Sequence, residues 1–305
     1  MKKLTFILIA FLLILTTGCS LEPPGWAKPK TGGDLKDIKI GLSVSTLNNP
    51  FFVSLKDGVV EEARKHGMET IVVDAQNDSA KQSNDVDDLM QKGVNVLLIN
   101  PTDSASISTV VQSANSLGIP VITLDRSADQ GDVKALVASD NVKGGKMAAE
   151  FIEKIVGKGA KVVELEGVAG ASATRERGKG FHEVADQNLK VIAKQTADFD
   201  RTKGLNVMEN LLQANPDVQA VFAHNDEMAL GAIEAIKSSG KDIPVVGFDG
   251  NDDAMKSIKE GKLTATVAQQ PEWIGQLAVQ AVYDVLQGRT VEKTIPAPLK
   301  LVTNE

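Results

Sequence analysis

The chain has one cysteine, one tyrosine, two tryptophans and three histidines in 305 residues. A lone cysteine excludes any internal disulfide. His66, His182 and His224 have no cysteine partner and no His-x-x-x-His spacing, which excludes the common zinc patterns. Lysine and arginine number 33 against 40 aspartates and glutamates, a net charge of −7 with no basic block. Such a chain cannot neutralise a run of phosphates, so nucleic acid is not an expected partner. No apolar run reaches the roughly 18–20 residues that span a bilayer. Aromatic residues make up only 4%, so the few phenylalanines and their positions carry information.

The longest apolar run, Leu4 to Leu15, follows Lys2-Lys3 and leads into Thr16-Thr17-Gly18-Cys19. A basic start, a short apolar stretch and a small-residue site make a secretory signal over 1–18. Cys19 directly after Gly18 has the form of a bacterial lipobox, with Thr16 where leucine is more usual. Cys19 is therefore the expected lipidation site, anchoring the chain at the outer face of the cell membrane. Several acyl chains on one cysteine hold a protein stably where one chain holds it only marginally. Residues 19–37, rich in proline and glycine and including Trp26, read as a tether.

From residue 38 onward, Val/Ile-rich strands alternate with helical patterns. The expected strands are 38–45, 69–74, 94–100, 119–125, 134–138, 160–166, 190–196, 218–224, 243–248, 263–269 and 296–302. Helices are expected near 50–66, 79–92, 104–117, 141–157, 172–188, 202–214, 227–239, 252–260 and 271–287. This alternation implies an α/β fold, with helices on both faces of parallel sheets. A weak echo links the halves: Ile119-Pro120-Val121-Ile122-Thr123-Leu124-Asp125 matches Ile243-Pro244-Val245-Val246-Gly247-Phe248-Asp249, and Val96 to Asn100 matches Val221 to Asn225 at nearly the same offset. Two similar doubly wound parallel-sheet lobes are expected.

In open parallel sheets ligands bind at the carboxyl ends of strands. The first half places Ser45, Asn49, Phe51, Phe52, Asp125 and Arg126 at such ends. The second places Arg177, Phe199, Asn225, Phe248, Asp249 and Gln269 there or close by. Phe151, Phe181 and Phe222 instead lie on apolar faces and read as core; any single corner phenylalanine is as readily core as ligand contact. Two aspartates and two arginines balance in charge, which disfavours a phosphorylated or carboxylated ligand and suits a neutral polyol. Carboxylates accept from adjacent hydroxyls, guanidiniums donate to paired oxygens, and phenyl faces cover C–H surfaces and exclude water. The competing reading makes Asp125 and Asp249 helix N-caps; Asp226, before Glu227-Met228, reads as a cap. Asp249 to Glu260 has the ligand spacing of a calcium loop but carries Ala254 where the sharp turn needs glycine, so no metal is expected. Gly167-Val168-Ala169-Gly170 lacks the pattern of any nucleotide loop and reads as turn glycines; no cofactor is expected.

The long motifs Ser45-Thr46-Leu47-Asn48-Asn49-Pro50-Phe51-Phe52, Ile99-Asn100-Pro101-Thr102-Asp103-Ser104, Ala197-Asp198-Phe199-Asp200-Arg201 and Asn225-Asp226-Glu227-Met228-Ala229-Leu230-Gly231 resemble type I periplasmic binding proteins. The resemblance runs from about residue 38 to 302. It implies two lobes, 38–138 with 270–298 and 139–269 with 299–305, joined by three crossing strands near 138–140, 268–270 and 297–299. It also implies that the twelve residues above surround D-ribose, with Ser45 acting mainly through its neighbours, and that closure about the hinge precedes delivery to the membrane subunits of an ABC importer. A monomeric, non-enzymatic, extracytoplasmic receptor is expected, with another neutral monosaccharide or a signalling polyol as the alternative ligand. A sugar-responsive transcription regulator would need an N-terminal helix-turn-helix, where this chain has its basic-apolar segment. Paired carboxylates also occur in glycosidases, but Asp125 and Asp249 are each expected to be held ionised by an arginine, a poor state for a general acid.

Overall fold

The computed structural model describes residues 37–304; the signal segment, Cys19 and the tether lie outside them. Six strands form the first sheet: β1 (Lys39–Val44), β2 (Glu69–Asp74), β3 (Val96–Ile99), β4 (Val121–Leu124), β5 (Ala135–Ser139) and β11 (Thr294–Ala297), in the order β11-β5-β4-β3-β1-β2. The second sheet holds β6 (Lys161–Glu166), β7 (Lys190–Thr196), β8 (Ala220–Ala223), β9 (Val245–Asp249), β10 (Ala265–Ala268) and β12 (Lys300–Thr303), in the order β12-β10-β9-β8-β6-β7. Apart from β11 and β12 the two orders are the same. Among the described residues the only antiparallel pairing is β10 with β12, while β11 runs parallel to β5.

Helices α1 (Pro50–Lys65), α2 (Ser79–Gln91), α3 (Ile107–Ser116) and α9 (Pro271–Leu286) pack on the first sheet. The second carries α4 (Asn141–Val156), α5 (Ser172–Asn188), α6 (Arg201–Ala214), α7 (Asp226–Ser238) and α8 (Asp252–Lys259). Each sheet is covered on both faces, so alternate residues of a strand enter different cores. In β3, Val96 and Leu98 join Phe51, Leu55 and Val59 of α1, while Leu97 and Ile99 join Val86, Leu89 and Val111 under α2 and α3.

The sequence suggests one strand over 296–302; the chain instead forms β11 and β12, one in each sheet, with Pro298-Leu299 between them. The other two passages, at Asp140 and at Gln269-Gln270, also lie outside regular strand. Three short links therefore join the halves, rather than three continuous strands. The halves also touch directly. Ser104 N–H donates to the Gly170 carbonyl at 2.9 Å, Ser172 N–H to Ser104 Oγ at 3.1 Å, and Ser127 N–H to Ser172 Oγ at 2.9 Å. Arg175 pairs with Asp129 at 2.8 Å. The Gly167–Gly170 turn is thus part of a closed arrangement in which the lobes meet.

Candidate functional site

Both sheets point their carboxyl ends into the space between the lobes. A small cavity lies there, walled by Asn49, Phe51, Phe52, Asp125 and Arg126 from one side and by Ala173, Arg177, Phe199, Asn225 and Asp249 from the other. Nine of these ten are expected from sequence; Ala173, at the start of α5, is not, and nothing in its residue type marks it.

Local structure explains the placement on the first side. Asn49 caps α1: its Oδ1 accepts from Phe51 N–H at 2.9 Å, and Pro50 at the first helical position is pre-set for the turn. That entry turn projects Phe51 and Phe52, whose rings meet edge-on at 5.2 Å. Both rings are part of the apolar core under α1 and α9 while walling the cavity, so core and site are not alternatives for them. At the end of β4, Asp125 has a φ of 61°, which turns its carboxylate off the strand axis. Asn100 supports it from β3, donating to the Leu124 carbonyl at 3.1 Å and to Asp125 Oδ2 at 3.4 Å. The same Asn100 accepts from Ser45 N–H at 3.1 Å. Ser45 is fully buried one layer behind the wall, its hydroxyl without a hydrogen-bond partner.

On the second side, Arg177 of α5 is held by Asn141, which accepts from Nε at 2.8 Å, and by the His224 carbonyl, which accepts from Nη1 at 2.6 Å. Its guanidinium lies 3.8 Å from the centre of the Phe248 ring, a stacked cation–π contact. Phe248 is fully buried in the core between the sheet, α4 and α5; it supports Arg177 from one layer back. Below Arg177, His224 bonds Glu164 at 2.8 Å and Glu164 bonds His182 at 2.9 Å. Asn225 caps α7, accepting from Met228 N–H at 3.0 Å and donating to the Phe199 carbonyl at 3.3 Å. Phe199 has a φ of 60°, and its ring reaches across the cleft to within 5.2 Å of the Arg126 guanidinium. Gln269 donates to Asp249 Oδ1 at 2.9 Å.

Two readings of the carboxylates require correction. Asp125 and Asp249 cap no helix, and Asn225, not Asp226, caps α7; Asp226 instead accepts from the backbone after β9. Nor do the arginines hold the two site carboxyls low. Burial pushes Asp125 above its ordinary range against the pull of Arg126, Arg177 and Asn100. Burial likewise pushes Asp249 well up, against Arg177 and with added repulsion from Asp226. The physical reason is distance: Arg126 Nε is 3.5 Å from Asp125 and Arg177 Nη1 is 3.7 Å from Asp249, too far for the hydrogen bonds that offset desolvation. The same burial lowers Arg126 to about 10. Asp125 Oδ1, Arg126 Nε and Gln269 Oε1 are buried without hydrogen-bond partners. Such groups cost free energy unless something pairs with them, and acceptors beside a donor between apolar rings match a small neutral polyhydroxyl molecule.

Phe199→Ala tests the ring's part in this wall. Phe199 is only half-buried and lies at the edge of its lobe's core, so the melting temperature should fall by no more than a few degrees. Affinity for a small polyhydroxyl ligand of this cavity should drop about tenfold or more, the order of one lost aromatic cover. Unchanged affinity by calorimetry would return Phe199 to a purely structural role.

A family model described as "Periplasmic binding protein domain" matches residues 40–290. The chain is 68% identical over 305 residues to the ribose import binding protein RbsB of Bacillus subtilis (strain 168), covering 100% of both chains. It is 56% identical over 268 residues to the protein of the same name from Escherichia coli (strain K12), covering 87% of this chain and 90% of that one. Among solved structures, the Caulobacter myo-inositol binding protein bound to myo-inositol is similar at a TM-score of 0.84 and 32% identity, covering 89% of this chain and 94% of that one.

Proposed function

The chain belongs to the periplasmic binding protein family, and from that premise we propose that it captures D-ribose outside the cytoplasmic membrane and hands it to an ABC importer. The observation that carries this reading is the closed cavity itself. Asp125 Oδ1 and Arg126 Nε sit buried and unpaired beside Phe51, Phe52 and Phe199, and two aspartates are matched by two arginines. The 68% identity over the whole chain to a ribose import binding protein supports ribose over other neutral monosaccharides and polyols. Asn49 Nδ2 and the Arg126 and Arg177 guanidiniums donate to the sugar, Asp125 and Asp249 accept from its hydroxyls, and Asn225 and Gln269 complete the ring. Ser45 and Phe248 act from one layer behind.

Ligand contacts come from both lobes, so the sugar binds the closed arrangement better than an open one and shifts the population toward it. The hinge passes through Asp140, Gln269-Gln270 and Pro298-Leu299, within a residue or two of a division of the lobes as 38–138 with 270–298 and 139–269 with 299–305. The sugar is released chemically unchanged; no side chain is assigned a catalytic role. Residues 1–18 act as the export signal, Cys19 carries lipid, and 19–37 tether a monomeric receptor to the outer face of the membrane.

A monosaccharide panel followed by thermal shift and calorimetry tests the ligand. D-ribose should give the largest rise in melting temperature, because a ligand of the folded state stabilises by mass action. A larger rise with another pentose, a hexose or an inositol would replace ribose as the cargo. Cys19→Ser should move the protein from the membrane to the soluble fraction; continued membrane retention would remove the lipid anchor from this reading.

A further inference from the structure

The loop after β9 aims Asp249 into the cavity, and its backbone there is unusual: Asp249 has a φ of 122° and Gly250 a φ of 80°. Glycine takes its value freely, but a non-glycine residue does not adopt a φ of 122° without support. The support comes from Asp226, a fully buried carboxylate at the start of α7. One of its oxygens accepts from Gly250 N–H at 2.7 Å and Asn251 N–H at 2.9 Å. The other accepts from the Thr266 hydroxyl of β10 at 2.7 Å. Gly247 makes room for this, since a Cβ there would overlap Asp226 Oδ1. We propose that Asp226 is the positioning residue of the sugar site: its carboxylate fixes the backbone that aims Asp249, and its charge sets the pH range in which Asp249 accepts sugar hydroxyls.

The electrostatic surroundings are few. Glu227 adjoins it on α7 and is paired with Arg201. Asp249 faces it from β9, itself near Arg177 of α5 and Asp125 of the other lobe. Thr266 of β10 brings a neutral hydroxyl, the first turn of α8 carries Asp252 and Asp253, and His224 at the end of β8 has its ring on Glu164. No cation bonds Asp226 directly among the described residues. Burial pushes its carboxyl up to about 7, opposed by the bonds from Thr266, Asn251 and Gly250. Asp249 accepts more strongly from a hydroxyl once it is ionised, and the repulsion between the two acids raises the pH at which that happens, so affinity rises with pH.

Asparagine separates the two parts of the role. It can accept both loop N–H groups through its oxygen and donate to Thr266 Oγ1, while carrying no charge. The inference rests on the ribose reading, so native protein titrated with D-ribose is the first control: failure there overturns that reading and leaves Asp226 unassigned to any sugar. With native binding in hand, Asp226→Ala should weaken ribose binding about 10- to 100-fold, the scale of one charged hydrogen bond to ligand. Asp226→Asn should bind within about threefold of native at pH 8. Its affinity should fall at a pH about one unit lower than in the native protein, because Asp249 has lost its acidic neighbour. Thr266→Val, which keeps the carboxylate and both loop bonds, should give a milder loss and serves if the alanine variant does not fold. Three results would overturn the proposal: native-like affinity in Asp226→Ala, an asparagine variant as weak as the alanine variant, or unchanged pH profiles.

Discussion

Arg177→Ala should lower the affinity for D-ribose by roughly 100- to 1,000-fold, the scale on which removing one member of a buried charged pair operates. Arginine carries five N–H donors in a planar fork. In Arg177 one of these is spent on Asn141 and one on the His224 carbonyl, and the guanidinium is flattened against Phe248. The rest of the fork faces the cavity without having to be ordered on binding, which is how a preorganised site avoids an entropic cost. Truncation removes those donors and also strips Asp249 of its nearest cation. Burial already raises that carboxyl against the pull of Arg177; without Arg177 it rises further, so more of it is protonated at a given pH. A protonated Asp249 accepts less well from hydroxyls, so the two losses compound. Arg177→Lys should recover little, because an ammonium has neither the fork nor the flat face that lies on Phe248. Calorimetry at pH 7.5, with circular dichroism to establish folding, measures both variants; affinity within about threefold of native would remove Arg177 from the sugar site.

The parts of this site legible in sequence share one property: they are residues whose type is out of place for their position. Phe51, Phe52 and Phe199 stand at strand-to-helix corners, and Asp125 and Asp249 end apolar strands. The matched strands ending in Asn100 and Asn225 mark the duplication that the two sheet orders express. That 294–303 forms two strands was not legible in the apolar pattern, because Ile295 to Val302 reads as one run with Pro296 and Pro298 as its only hints of a break; the crossing near 297–299 followed from the resemblance alone. Nor was the true role of Asp226. A carboxylate at the start of a helix has an adequate local explanation, and its partners at Gly250, Asn251 and Thr266 are 24 to 40 residues away. Asn141 and Asn100 stayed hidden for the same reason: their hydrogen bonds join elements that only the fold brings together. The state of the carboxyls also depends on ångström-scale distances. Sequence pairs each aspartate with an arginine, but whether the pair is bonded or merely near decides the direction of the shift.

Gly145→Ala should destabilise the second lobe by about 1–3 kcal/mol and weaken ribose binding about tenfold or more. Helix propensity taken alone points the other way, since alanine inside a helix is favoured over glycine by roughly 1 kcal/mol. Packing decides the sign. A Cβ at Gly145 of α4 would fall on the Arg177 carbonyl oxygen and 2.7 Å from Phe181 N, and a Cβ at Gly180 of α5 would fall on the Val142 carbonyl. The two helices therefore meet backbone to backbone, and no flexible side chain can swing away to accept a methyl group. A helix must move instead. The turn of α5 pressed by that methyl is the one that carries Arg177, and Asn141, which holds Arg177 Nε, begins α4. Separating the helices thus stretches the bond that aims the guanidinium and lifts it from Phe248. An error of about 1 Å at such a group is enough to cost binding. Thermal melts and ribose titrations of Gly145→Ala, beside Lys154→Ala on the exposed side of the same helix, separate a packing effect from a helix effect. A Gly145→Ala protein that melts at or above the native temperature would show that propensity prevails and that this close approach does not set the position of Arg177.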